Sequence, residues 1–233
     1  MRCDLASSSW PHFLGFVVRI SPPLAAEQRF RTLRLPCAVL ALVAAECVGG
    51  AQDTASFTFA TQTLTVPAGF TVELVAAPPR VNRPISIAFD DEGRLYATDS
   101  SGLSDKSDKQ FEQKPHRIVR LVDRDGDGRF EESTVFAENM MFPQGAMFYE
   151  GSLYVGAPPH IWKLTDTNGD GVSDRREQWY DGKTLTGCAN DLHGPYLGLE
   201  GWFYWTKGAF AEQRHTLGNG QPFVTRASHI FRA

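Results

Sequence analysis

From residue 71 onward, apolar residues recur with a period of two in short runs, and turn residues separate the runs. Thr71-Val-Glu-Leu-Val-Ala76, after Pro67-Ala-Gly-Phe70, predicts a first strand by this alternation. The same order of pieces then comes three times: an apolar strand, a turn ending in Gly, an aromatic strand, and a strand opening on His. The first copy runs Ile85–Phe89, Asp90–Gly93, Leu95–Thr98, His116–Arg120. The second runs Gly145–Phe148, Glu150-Gly151, Leu153–Val155, His160–Lys163, and the third Pro195–Leu199, Glu200-Gly201, Trp202–Trp205, His229–Arg232. Outer strands are predicted at Ser133–Ala137 and Glu177–Tyr180, and no segment longer than a turn has helical periodicity. The fold class is therefore all-β, and the repeat predicts a β-propeller present as about three four-stranded blades, over 67–137, 138–181 and 182–233. Thr71–Ala76 is expected to be the outer strand that completes a final blade beyond Ala233.

Residues 1–51 are expected to stand outside this fold. Arg29, Arg31 and Arg34 precede the apolar run Leu35–Ala45, and Gly49 and Ala51 supply small residues where a signal peptidase needs them. The pattern predicts a secretory leader cut after Ala51, with residues 52–66 as a linker and the chain exported to the periplasm or cell surface. The apolar run is too short to span a bilayer, so no transmembrane helix is expected in the mature part. A lipid anchor at Cys47 is the alternative, although Glu46 stands where a small residue is wanted.

The leader holds five of the 23 basic and three of the 27 acidic side chains, so the remainder carries a charge of −6. That surface does not suit nucleic acid, and no basic or Arg-aromatic patch argues otherwise. Of the four cysteines, only Cys188 lies outside the leader, which rules out a disulfide within the mature chain.

Two acidic loops interrupt the repeat. Asp166, Asn168, Asp170, Asp174 and Glu177 occupy positions 1, 3, 5, 9 and 12 of one, with Gly171 at position 6. Asp123, Asp125, Asp127 and Glu131 form the other, 43 residues upstream, with Thr134 at position 12. Oxygen donors at this spacing around a Gly turn suit calcium. The fuller second loop is expected to be the better site. The flanks read as strands, so these are not EF-hands, and the alternative is a metal-free Asp/Gly turn.

In an antiparallel meander both acidic loops fall on one face, and the loops that lead into the innermost strands fall on the other. Those loops carry Arg83, Gln144 and the run Thr184–Pro195, with Asn190, Asp191 and His193. His193 could act as a general base, with Asp191 or Asn190 fixing its tautomer. Lys207 or Arg83 could hold an anionic cofactor. The other possibility is that His193 only pins its loop. His116, His160 and His229, which open the third strand of every copy, are expected to be structural, and Cys188 a small buried residue.

Residues 67–232 closely resemble the N-terminal propeller region of the planctomycete-type "putative membrane-bound dehydrogenase" family of bacteria. The resemblance is carried by Pro115–Arg120, Asp123–Gly128, Phe142–Gly145, Pro158–Thr165, Gly187–Pro195 and Lys207–Gln213. That family is similar to the soluble glucose/sorbosone dehydrogenases, six-bladed propellers that bind pyrroloquinoline quinone (PQQ) and calcium. The resemblance implies an exported quinoprotein-like dehydrogenase that oxidises a sugar or other hydroxyl compound. In it the base would be His193, or Asn190, which aligns with the family's histidine. Arg83, Gln144 and Lys207 would lie at the cofactor, and an electron acceptor such as cytochrome c would reoxidise it. A non-catalytic, calcium-stabilised propeller that binds glycans or proteins is the competing expectation.

Overall fold

The computed structural model describes residues 16–22, 53–103, 105–186, 191–208 and 211–233. These fall into two compact units, one of Val18–Leu74 and one of Val75–Ala233 together with Val17. The expected leader core and its cleavage point lie outside the described residues, as do Cys188 and Asn190.

In the smaller unit, strand β1 (Val17–Ser21) pairs with β4 (Thr71–Ala76), and β2 (Thr54–Phe59) pairs with β3 (Gln62–Pro67) in an antiparallel hairpin. Neither pairing was expected from the sequence. The stretch read as a linker alternates hydroxyl and apolar residues, and its hydroxyls meet across the hairpin, Ser56 with Thr65 at 3.1 Å and Thr58 with Thr63 at 2.9 Å. β1 lies inside the 51 residues expected to stand outside the fold. It is rich in Val and Ile, as strands are, and its Arg19 Nε donates to Glu73 at 2.9 Å. β4 is thus the partner of β1 among the described residues. Cleavage after Ala51 would take β1 away from it.

The larger unit holds the repeat. β5 (Pro84–Phe89), β6 (Leu95–Asp99), β7 (His116–Val122) and β8 (Glu132–Met140) form one antiparallel meander in that order. β9 (Gly145–Tyr149), β10 (Ser152–Ala157), β11 (His160–Thr165) and β12 (Arg175–Asp181) form the next. The third sheet contains β13 (Leu192–Leu197), β14 (Phe203–Lys207) and β17 (His229–Arg232). Its long connection folds into a separate hairpin of β15 (Gln213–Thr216) and β16 (Pro222–Thr225), and the corresponding insertion in the first sheet holds a short helix, α1 (Ser107–Gln113). Neither was expected, because both are too short to show a period.

The three sheets stack face to face. Tyr96, Ile118 and Phe136 of the first meet Leu153, Val155 and Leu164 of the second in one core. Met147, Tyr154 and Ile161 meet Leu192, Phe203 and Trp205 in the next. Edge-to-face aromatic pairs, Tyr96 with Phe136 at 4.9 Å and Tyr154 with Phe203 at 5.0 Å, add to the burial. Sandwiching explains why β6 and β10 are buried along their whole length, while β5 alternates. The first strands of the sheets, β5, β9 and β13, lie side by side. Their approach is close: a Cβ at Gly145 would come within 2.5 Å of the Gly194 carbonyl oxygen, so only glycine fits there.

Candidate functional site

The acidic loops are the β7–β8 and β11–β12 turns, and locally they are built alike. Asp123 accepts the Gly126 and Gly128 N–H groups through its two oxygens at 2.8 and 2.7 Å. Asp166 does the same with Gly169 and Gly171, at 2.7 Å each. Their surroundings differ. In the first loop one carboxylate oxygen from each of Asp123, Asp125, Asp127 and Glu131 lies within 4.8 Å of the others. In the second, Arg120 reaches across from β7 with Nη1 3.7 Å from Asp166 Oδ2, and its guanidinium packs against Gly171. Asp174 turns instead to Thr167, accepting its N–H at 3.1 Å and its hydroxyl at 2.7 Å, which holds that carboxyl below its usual pKa. Glu177 pairs with Arg175 at 2.8 Å. The two loops thus differ in their neighbours: the carboxylates of the first stand together, and the first aspartate of the second faces a guanidinium.

At the opposite ends of the strands, His193 is the second residue of β13, half-buried, across from Thr206. Leu192 faces Lys207. Lys207 is buried and its Nζ donates to the carbonyls of Gly208 and Ala227 at 2.9 and 3.1 Å, and loss of water lowers its pKa. Asp191, also buried, accepts the Thr186 N–H at 2.6 Å and the Thr186 hydroxyl at 3.1 Å. Both thus bond within the protein, Asp191 back onto its own loop and Lys207 onto carbonyls that flank β14 and β17. Arg83 donates from Nη1 to Ser101 O at 3.4 Å and lies along Gly102. Gln144 is half-buried, and its backbone N–H bonds to Gly156 O at 2.8 Å.

Residues 56–232 match the family described as a domain of unknown function (DUF7133). The chain belongs to the DUF7133 family. No curated protein matches it. The matched stretch starts within β2 and runs to the end of β17, so the hairpin β2–β3 is part of the family's domain.

The histidines that open β7, β11 and β17 in this DUF7133 chain have structural partners, as expected. Buried His116 contacts Gln110 Oε1 of α1 at 2.8 Å through Nε2 and accepts the Ser101 N–H at 3.1 Å through Nδ1, and burial lowers its pKa. His160 lies edge-on to Trp162, with Nδ1 3.4 Å from Asp181. His229 Nδ1 lies 2.8 Å from Ala227 O.

Two features escaped the sequence reading. Asp99, 1% exposed, accepts the Asn82 and Arg83 N–H groups at 2.9 and 2.6 Å and pairs with Arg117 at 2.8 Å, fixing the loop into β5. A cleft of about 320 Å³ also opens between α1, the end of β8 and the start of β11. Its walls include Phe111, Lys114, Met141, His160, Trp162 and Arg176. The long Ser100–Pro115 insertion was a signal for it, but α1 and its side chains could not be placed from spacing alone.

Proposed function

We propose that the chain is part of an exported β-propeller that binds a ligand rather than oxidising one. The radial reading rests on three stacked antiparallel sheets whose first strands adjoin, and on the 43-residue spacing of their acidic loops. Export rests on the leader pattern of residues 1–51. Among the described residues no helix is long and apolar enough to cross a membrane.

The observation that carries the choice is that Lys207 and Asp191, the charged groups beside the head of β13, already bond within the protein. A polyanionic quinone such as PQQ needs cations free to meet it, and Arg83 also lies folded along Gly102. These residues do not fit the cofactor, and no oxidation step is derived from them. Calcium fits better, held by Asp123, Asp125, Asp127 and Glu131, whose carboxylates offer the hard oxygen donors it prefers. There it would brace the β7–β8 turn.

The dehydrogenase reading keeps one supporting observation, the half-buried His193 at the mouth of β13. In that reading a sugar or alcohol is the substrate and cytochrome c a suitable acceptor. Incubating the chain with PQQ and calcium, then assaying dye-linked oxidation of sugars and alcohols, separates the two. Turnover no higher than background is expected. Quinone-dependent turnover abolished by His193→Ala would overturn the binding reading.

A further inference from the structure

The cleft between α1, β8 and β11 has a composition that points to its ligand. Arg176 projects from β12 and donates through Nη2 to the Glu138 carbonyl at 2.6 Å, and its Nη1 lies 3.5 Å from Asn139 O; these contacts occupy two of the guanidinium's five N–H donors, where Lys207 commits two of three. Lys114, the left-handed residue that ends α1, also lines the cleft. Neither has an ion-pair partner among the described residues, and no Asp or Glu lines the cleft. The chain as a whole is acidic, at −4, so a concave surface with two cations and no carboxylate runs against its overall charge. Arg176 also loses enough water there to lower its pKa, with no acid close by to offset the loss. A cation in that condition gains from an incoming anion.

The remaining walls give the shape. Phe111 presents its ring at 42% exposure, and Trp162 stands edge-on to His160 at 5.4 Å. Pro158 and Pro159 add flat apolar surface. An exposed and a half-buried aromatic ring beside polar donors suit a molecule with an apolar ring face and a polar edge. At about 320 Å³ the space is near the lower limit of small-molecule sites, enough for one saccharide ring and its substituents.

We infer that this cleft binds an acidic sugar, a saccharide ring bearing a carboxylate or sulfate, with the anion between Lys114 and Arg176 and the ring against Trp162 and Phe111. The inference rests on the ligand-binding reading proposed above and gives that reading a ligand class and a position. The cleft lies at the junction of the first sheet with the second, and none of Asp123, Asp125, Asp127 and Glu131 lines it. Bound calcium and bound sugar therefore do not compete.

Titration calorimetry of the full chain with glucuronate, glucose 6-sulfate and glucose tests this, with Trp fluorescence as a second readout. Glucuronate or the sulfate should bind, glucose should bind at least about tenfold more weakly, and Lys114→Met should remove about tenfold in affinity, as for one charged hydrogen bond. Arg176→Met should remove at least as much. Because Arg176 also ties down β8, the exposed Lys114 variant carries the decision if the Arg176 variant unfolds. Binding should weaken as salt rises. Equal affinity for all three sugars, no binding of either acid, or acid binding untouched by Lys114→Met would overturn the assignment. Neutral glycan binding that survives Lys114→Met would overturn it while leaving the binding-module reading standing. PQQ-dependent turnover would instead defeat that reading itself.

Discussion

Asp127→Asn is the substitution that separates a calcium site from an acidic turn, because its effect should change sign with calcium. The side chain keeps its Oδ1 acceptor for the Arg129 N–H, a bond of 2.7 Å, so only the charge is removed. Four carboxylate oxygens within 4.8 Å repel one another. At that distance each pair costs about 0.9 kcal/mol in bulk water, or roughly 5 kcal/mol over all pairs, and physiological salt cuts this to about 3. Neutralising Asp127 removes half the pairs. In chelator the variant should then be about 1.5 kcal/mol more stable than wild type, or ~3–6 °C higher in Tm. With calcium about 100-fold above Kd the wild type gains about 2.7 kcal/mol, and a variant that binds 100-fold more weakly gains only ~0.4. The two melting curves should therefore exchange order between chelator and calcium, measured by differential scanning calorimetry. Asp170→Asn in the second loop should show no such exchange, since Arg120 supplies the positive charge there. Equal destabilisation by Asp127→Asn in both media, or a larger calcium effect at Asp170, would refute the reasoning.

Leu153 is fully buried in the core shared by the first and second sheets, so Leu153→Ala should destabilise by about 2–5 kcal/mol in urea unfolding. A change below about 1 kcal/mol would mean that the sheets do not pack through it. His116 has its pKa lowered by burial, so its neutral form is favoured in the folded chain while the unfolded chain takes up a proton near pH 6.5. Stability should fall as pH drops from 7 towards 5, and His116→Gln should flatten that fall; an unchanged slope would show that another group sets it.

The strands of the repeat were legible because sandwiching imposes a simple pattern. β6 and β10 read as short apolar runs because both their faces are buried. The hairpin β2–β3 was not legible, since Thr, Ser and Gln fill half its positions and the remainder is too sparse to stand out from a linker. β1 was hidden for another reason. Five residues, three of them Val or Ile, carry no signal until the edge of β4 supplies a partner.

The site was less legible than the fold, and the acidic loops show why. Sequence specifies the hydrogen bonds that a loop makes with itself, and these came out alike in both copies: the first aspartate accepts two glycine N–H groups in each. It does not specify which side chain a neighbouring sheet brings up. Arg120 lies 46 residues before Asp166, in a different sheet, and only the stacking of the first sheet on the second carries its guanidinium to that loop. The copy with more donor residues thus has its charge met by the protein, and the copy with fewer keeps its carboxylates together. The same stacking brings Lys114 of the first sheet's insertion and Arg176 of the second into the lining of one cleft that holds no acid. A repeat read along the chain assigns equal roles to equal positions. Function enters where packing makes those positions unequal.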